Sequence, residues 1–362
     1  MKVIFSGGGT GGHIFPAIAI ADELKTMVQD TKILFIGAKG KIEEKIVPEN
    51  NYELKTIPIS GFNRKNLLSV LGLPGKIIKS VRLSKKIICD FAPDVVVGTG
   101  GFASAPVIYS AAKMKIPTLI QEGNSYPGKV TRFLSPRVNK VVVNFKDTLK
   151  YLKKTDNVVR ISHPVRMKLK NIDRQEAIKF FNLNPSNKVL FIFGGSQGAR
   201  AINQCMLNAY KNITAKNINI IWQTGKYEYD KIKEAIGDSA NVCILDFIDK
   251  MDYAYSASDL IICRAGISSI MELSYLGLPA ILIPYPLAAE NHQEKNARSI
   301  ENENACIVIV QNEIETKLYD TVINLIYDSA KLNNLKENIK KLSDDDAAKK
   351  IANEIIKLKN GR

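Results

Sequence analysis

Short apolar runs alternate with longer amphipathic stretches along the whole chain. In the first half they are Val3–Phe5, Ile33–Ile36, Asp94–Val97, Thr118–Ile120 and Lys140–Val143. In the second they are Val189–Phe193, Ile218–Trp222, Val242–Leu245, Leu260–Cys263, Ala280–Ile283 and Cys306–Val310. Such runs suit strands buried on both faces, and the helical stretches between them make βαβ units. The pattern predicts an α/β protein with a parallel sheet in each half. The halves are expected to be a domain over 1–163 and a domain over 164–342, meeting near Ser162-His163-Pro164-Val165, where a proline follows the strand-like Val158–Ile161. A lysine-rich helix over Asp344–Leu358, within 343–362, is read as returning to the first domain.

Ligands of such sheets bind beyond the carboxyl ends of the strands. Five glycine-rich or polar clusters sit there. Val3-Ile4-Phe5 runs into Ser6-Gly7-Gly8-Gly9-Thr10-Gly11-Gly12-His13, and Val189–Phe193 runs into Gly194-Gly195-Ser196-Gln197-Gly198-Ala199. Gly98-Thr99-Gly100-Gly101, Gln121-Glu122-Gly123-Asn124 and Arg264-Ala265-Gly266-Ile267-Ser268-Ser269 follow three further strands. A glycine loop opening a helix presents bare N–H groups and a positive dipole end, which suits phosphate. Histidine occurs three times, as His13, His163 and His292. His13 ends the first loop, and an imidazole titrates where general-base chemistry at neutral pH needs it.

At 362 residues two domains are the natural reading, and 45% hydrophobic content is ample for two cores. The five cysteines form no CxxC pair, so neither a zinc site nor a disulfide framework is indicated, and a reducing compartment is expected. The chain enters a strand after Lys2, and no apolar run approaches the roughly 18 residues of a membrane span. The net charge of +15 suits a polyanion. It is concentrated between Phe62 and Cys89, where seven basic residues meet no acid and interleave with Leu67, Leu68, Leu71, Ile77 and Ile78. Such a segment fits an anionic lipid surface, with Lys76, Lys79 and Arg82 as its cations, and equally fits an amphipathic helix packed on the sheet. With aromatics at 7% and no reading helix, a nucleic-acid partner is not expected.

Several motifs point elsewhere and fail. The first loop spells a dinucleotide fingerprint, but its second strand ends Phe35-Ile36-Gly37-Ala38-Lys39 without the acid that bonds a ribose. Gly123–Val130 nearly spells a P-loop. It carries Val130 where a hydroxyl must hold magnesium, and Pro127 removes an N–H. Asp344-Asp345-Asp346 follows Ser343 and reads as the cap of the last helix rather than a metal motif.

Taken in order, the loop ending at His13, Gly98–Phe102, Gly194–Ala199, Arg264–Gly266 through Glu272, and His292-Gln293 through Asn296-Ala297 resemble the MurG family over nearly the whole chain. These bacterial N-acetylglucosaminyltransferases convert lipid I to lipid II in peptidoglycan synthesis. The resemblance implies the GT-B architecture, two Rossmann-like domains facing a cleft, working at the cytoplasmic face of the membrane as a peripheral protein. It implies UDP-GlcNAc as donor, undecaprenyl-diphosphate-linked lipid I as acceptor, and no metal or cofactor.

Carried over residue by residue, it places Thr10, Gly11, Gly12, Asn124, Arg166, Ser196, Ile248, Ile267, Ser268, Ser269, Glu272, His292 and Gln293 on the donor. Among these, Arg166 and Ser196 attend the nucleotide diphosphate, Ile248 the uracil, Glu272 the ribose, and His292 and Gln293 the sugar hydroxyls. Gly9, Thr10, Gly11, Gly100 and Gly101 are expected at the acceptor's diphosphate and His13 as the base. Two other readings share the fold: a diacylglycerol glycosyltransferase and a UDP-sugar epimerase. The sequence departs from the family at Ser162-His163, where Gly-Asn is usual, and at Gly123, where Gln is usual.

Overall fold

The computed structural model describes residues 1–59, 73–165, 172–195 and 197–361. The chain divides into two compact units, Met1–Met167 with Asp344–Arg362, and Lys168–Ser343.

The first unit holds a seven-stranded sheet. Its elements run β1 (Lys2–Gly7), α1 (Gly11–Met27), β2 (Lys32–Ala38), α2 (Glu43–Glu49), β3 (Glu53–Ile57), α3 (Leu73–Phe91), β4 (Val95–Gly100), α4 (Ser104–Lys113), β5 (Thr118–Glu122), α5 (Lys129–Leu134), β6 (Lys140–Val143) and β7 (Val158–Arg160). The strand order is β3-β2-β1-β4-β5-β6-β7, with every pair parallel. Alternate residues of β1 serve opposite faces. Val3 and Phe5 join Ile14, Ile18 and Leu24 of α1 in one core, whereas Ile4 joins Val107 and Ile108 of α4 in the other. The C-terminal helix Ala347–Asn360 adds Ile351 and Ile355 to the first of these cores. Burial of both faces explains why β1, β2, β4, β5 and β6 were legible as apolar runs. The edge strand β3, Glu-Leu-Lys-Thr-Ile, is half polar and carries no such signal.

The second unit runs α6 (Arg174–Phe180), β8 (Lys188–Phe193), α7 (Arg200–Thr214), β9 (Ile218–Gln223), α8 (Tyr229–Ile236), β10 (Val242–Leu245), α9 (Met251–Ala257), β11 (Leu260–Cys263), α10 (Ile267–Leu276), β12 (Ala280–Leu282), α11 (His292–Glu301), β13 (Ile307–Val308), α12 (Ile314–Ile326) and α13 (Ser329–Lys340). Its six parallel strands are ordered β10-β9-β8-β11-β12-β13. Leu190, Ile192, Trp222, Ile262 and Ile281 fill one core with α7 and α12.

Each sheet reverses its strand order once, at β1/β4 and at β8/β11. Loops leaving neighbouring strands in opposite directions open a crevice there, which is where open α/β sheets take their ligands. The aspartate cap expected at the last helix takes a different form. Helix Ala347–Asn360 starts after Asp346, whose side chain makes no cap bond; Asp344 instead accepts from the Asp346 N–H and pairs with Lys350.

Candidate active site

In the first unit the β1 and β4 loops close around His13. Gly101 has φ +76°, and a Cβ there would sit 2.4 Å from the Gly8 carbonyl oxygen, so only glycine lets the β4 loop lie against the β1 loop. Thr99 Oγ1 donates to the His13 carbonyl at 2.7 Å, fixing the first turn of α1 to β4. His13 Nδ1 lies 3.1 Å from the Gly8 carbonyl and 3.2 Å from Thr10 Oγ1. A carbonyl can only accept, so Nδ1 carries the proton and the neutral ring holds its lone pair on Nε2. Thr10, Gly100 and Gly101 therefore lie against the imidazole, and Gly11 and Gly12 open the helix that carries it. Gly9 is different: its N–H donates to Glu43 Oε2 at 2.9 Å, and that donor is already used within the protein.

Asn124 lies on the neighbouring loop after β5, oriented by a carboxylate. Glu122 Oε1 accepts from the Asn124 backbone and side-chain nitrogens, while Oε2 accepts from the Gly128 N–H and Thr131 Oγ1. His163, following β7, is 3% exposed. Its Nδ1 accepts from Gln121 Nε2 at 2.9 Å, and its backbone N–H donates to Asn144. Burial holds its pKa down at about 3, and the nearby His13 pushes the same way, so the ring is neutral at pH 7. His163 is a buried structural hydrogen-bonder.

In the second unit the β8 and β11 loops bound a cavity of about 900 Å³, within the range of small-molecule sites. Its walls include Gly194, Gly195, Gly198, Arg264, Gly266, Ser269, Tyr285, Gln293 and Gln311. Arg264 is 9% exposed. Its guanidinium donates to the carbonyls of Ile283 and Pro284 and to Gln311 Oε1 at 2.7 Å, and it lies 5.3 Å from the Tyr285 ring. Burial lowers its pKa to about 10, so it stays cationic at neutral pH and makes the cavity attractive to a diphosphate. Helix α10 opens there through Gly266 and Ile267–Ser269, adding N–H groups and its dipole.

Ile248, Glu272 and His292 lie outside the cavity walls. The Ile248 N–H donates to Gln223 Oε1 at 3.0 Å, while Gln223 Nε2 donates to the Gly195 carbonyl. One side chain thus ties the glycine loop to the segment read as the uracil contact. Glu272 accepts from Tyr255 OH at 2.7 Å, and burial raises its carboxyl pKa. His292 Nδ1 donates to the Ala289 carbonyl, and Gln293 Oε1 accepts the Tyr285 N–H. Arg166, Ser196, Leu67, Leu68 and Leu71 lie outside the described residues. On α3, Lys76, Lys79 and Arg82 are exposed beside Ile77 and Ile78, which are 43% and 53% exposed.

Sequence reading missed Glu43, Gln223 and Gln311. Each looks like an ordinary polar residue of a helix, strand end or turn. Only the juxtaposition of distant loops gives it a part.

Residues 3–143 match the glycosyltransferase family 28 N-terminal domain, and residues 189–351 match its C-terminal domain. The chain is similar to the UDP-N-acetylglucosamine--N-acetylmuramyl-(pentapeptide) pyrophosphoryl-undecaprenol N-acetylglucosamine transferase of Flavobacterium psychrophilum, 44% identical over 99% of this chain and 97% of that protein. The transferase of the same name from Phocaeicola vulgatus is 43% identical over 99% of this chain and 96% of its own. The crystal structure of Acinetobacter baumannii MurG superposes with a TM-score of 0.80 at 25% identity, covering 98% of this chain and 99% of that one. With full-length likeness in sequence, and two parallel sheets of the GT-B kind, the chain belongs to the MurG family of N-acetylglucosamine transferases.

Proposed function

We propose that this protein moves N-acetylglucosamine from UDP-GlcNAc to the 4-hydroxyl of N-acetylmuramic acid in undecaprenyl-diphosphate-linked lipid I, forming lipid II for peptidoglycan. The observation that carries the reading is the pair of glycine loops at the two switch points. One holds an imidazole with a defined tautomer; the other floors a cavity containing a buried arginine.

The acceptor hydroxyl gives its proton to His13 Nε2 as its oxygen bonds to the anomeric carbon. The bond from that carbon to the UDP oxygen breaks on the opposite face, inverting α to β. Charge grows on the departing diphosphate, and Arg264 with the α10 N-terminus stabilises it, so transfer requires no metal or cofactor. A preorganised donor of this kind contributes about 2.7–4 kcal/mol, and the base about 10²–10⁴-fold. The Ile248 carbonyl serves the uracil, since its N–H is held by Gln223. Glu272 accepts a ribose hydroxyl and Gln293 a sugar hydroxyl. The acceptor's diphosphate sits at Thr10–Gly12 with Gly100 and Gly101. The exposed isoleucines and cations of α3 hold the protein on the anionic cytoplasmic leaflet as a peripheral protein. No described helix is long and apolar enough to cross a membrane.

The test is incubation of pure protein with labelled UDP-GlcNAc and a lipid I analogue, with diacylglycerol in a parallel arm. Label entering the lipid I analogue alone is expected. Transfer to diacylglycerol, or conversion of the donor without any acceptor, overturns the reading.

A further inference from the structure

The peptide group between Gly8 and Gly9 is held at both ends. Its N–H donates to Glu43 Oε2 at 2.9 Å, and its carbonyl accepts from His13 Nδ1 at 3.1 Å. Glu43 is fully buried at the start of α2, and its other oxygen accepts the Ala38 N–H at 2.9 Å. A Cβ on Gly8 would stand 2.1 Å from Glu43 Oε1, and one on Gly37 2.5 Å from its Cγ. The carboxylate fills a slot that two glycines leave for it. Burying a carboxylate away from water is costly, and two backbone hydrogen bonds offset only part of that cost.

We propose that Glu43 is a positioning residue for the general base, acting on His13 through the Gly8–Gly9 peptide group. The inference rests on the reading of His13 as the base. Negative charge at the N–H end of a peptide draws electron density toward its carbonyl oxygen, and hydrogen bonds in series strengthen one another. The stronger acceptor holds Nδ1–H, keeps the lone pair on Nε2, and stabilises the imidazolium formed when Nε2 takes the hydroxyl proton. A carboxylate that touches an imidazole directly does the same work; here one peptide unit relays it. Glu43 keeps both of its backbone hydrogen bonds throughout, and no proton crosses the peptide.

Among the described residues, Glu43 is the carboxylate joined to the ring through the Gly8–Gly9 peptide. From α1 itself Thr10 presents a hydroxyl, and from β4 come the Thr99 hydroxyl and the uncharged Gly100 and Gly101. Among the described residues His163 is a further titratable neighbour, and its ring is neutral. Helix Ala347–Asn360, which packs on α1, has Glu354 paired with Lys140 and Lys357, and Lys350 paired with Asp344. On α1 Asp22 is tied to Tyr52 OH, a full two turns from His13.

The experiment measures kcat and kcat/KM against pH for the full-length protein with UDP-GlcNAc and the lipid I analogue. The variants are Glu43→Gln, Glu43→Asp and His13→Gln, with UDP affinity measured alongside. Glu43→Gln keeps the size, removes the charge and leaves one N–H without its acceptor. It is expected to lower kcat roughly 10–100-fold, up to the cost of a misplaced catalytic group and less than the loss of the whole base. It is also expected to move the acid limb of kcat/KM down by roughly 0.5–1 pH unit, less than a directly contacting charge causes. Glu43→Asp, with its charge one methylene further away, should move both in the same direction and less. UDP affinity should stay within about twofold, because the donor cavity is in the other unit. An unmoved acid limb in both variants, with His13→Gln abolishing it, overturns the role of Glu43 and leaves His13 as base. An acid limb that survives His13→Gln overturns the base itself. Should Glu43→Gln not fold, an unmoved limb in Glu43→Asp alone refutes the proposal.

Discussion

Replacing Gly101 by alanine tests whether the close approach of the β1 and β4 loops is what positions His13. Two effects combine. The residue sits at φ +76°, where an L side chain costs about 1–2 kcal/mol. Its Cβ would also lie 2.4 Å from the Gly8 oxygen and 3.2 Å from His13 Nδ1, too close for either to stay in place. Moving the Gly8 carbonyl breaks the Nδ1–H bond, worth about 1 kcal/mol more. Gly40 is an internal control: it has φ +72° but nothing within 4 Å of an added Cβ. Gly40→Ala should therefore cost about 1–2 kcal/mol, and Gly101→Ala about 2–3 kcal/mol. At about 2–4 °C per kcal/mol, the unfolding midpoints should fall by roughly 2–8 °C and 4–12 °C. Activity separates them far more sharply. An ångström of displacement at a catalytic group costs about 100-fold in turnover, so Gly101→Ala should lose that much kcat while Gly40→Ala keeps nearly all of it. The assay is acceptor-dependent transfer at saturating donor, with calorimetric unfolding of the same preparations. Equal kcat in the two variants would refute the idea that loop contact orients the base.

Three further outcomes follow from the geometry. Arg264→Lys puts a compact ammonium in place of a planar fork whose two nitrogens reach acceptors on opposite sides, so the donor KM should rise about 10–100-fold with the acceptor KM within about twofold; steady-state kinetics with each substrate varied will show it. His163 has a pKa of about 3 when folded against 6.5 for an ordinary imidazole, so the unfolded chain binds its proton first. Stability from this group is complete above pH 6.5 and is lost as pH falls toward 3, by up to about 1.4 kcal/mol per unit; denaturant titrations of His163→Gln should show a shallower loss over that window. On α3, Lys76→Glu with Lys79→Glu and Arg82→Glu removes three cations worth about 1 kcal/mol each at an anionic surface. Sedimentation with phosphatidylglycerol vesicles should fall roughly 100-fold or more, with UDP affinity unchanged.

Local pattern alone accounts for the sheets and for the glycines at their ends. Strands buried on both faces, such as Val189–Phe193 and Leu260–Cys263, need continuous apolar runs, and a chain that turns sharply at their ends needs glycine. Both demands are met within a few residues, so the two parallel sheets and their glycine-bearing ends were readable. The edge strand β3 was not, because one exposed side let it keep Glu53 and Lys55.

Tertiary structure alone decided which side chain each loop amide or carbonyl faces. Strand order β2-β1-β4 sets the Gly8–Gly9 peptide between Glu43 and His13, and order β11-β12-β13 brings Gln311 to Arg264 across 47 positions of chain. It also sank His163, to which the sequence assigns no role, into the first unit, where burial makes it a neutral hydrogen-bonder. Residues that stabilise a site from behind answer to partners far away in the chain. Their identity leaves no periodicity to read, and only the packed sheet brings them together.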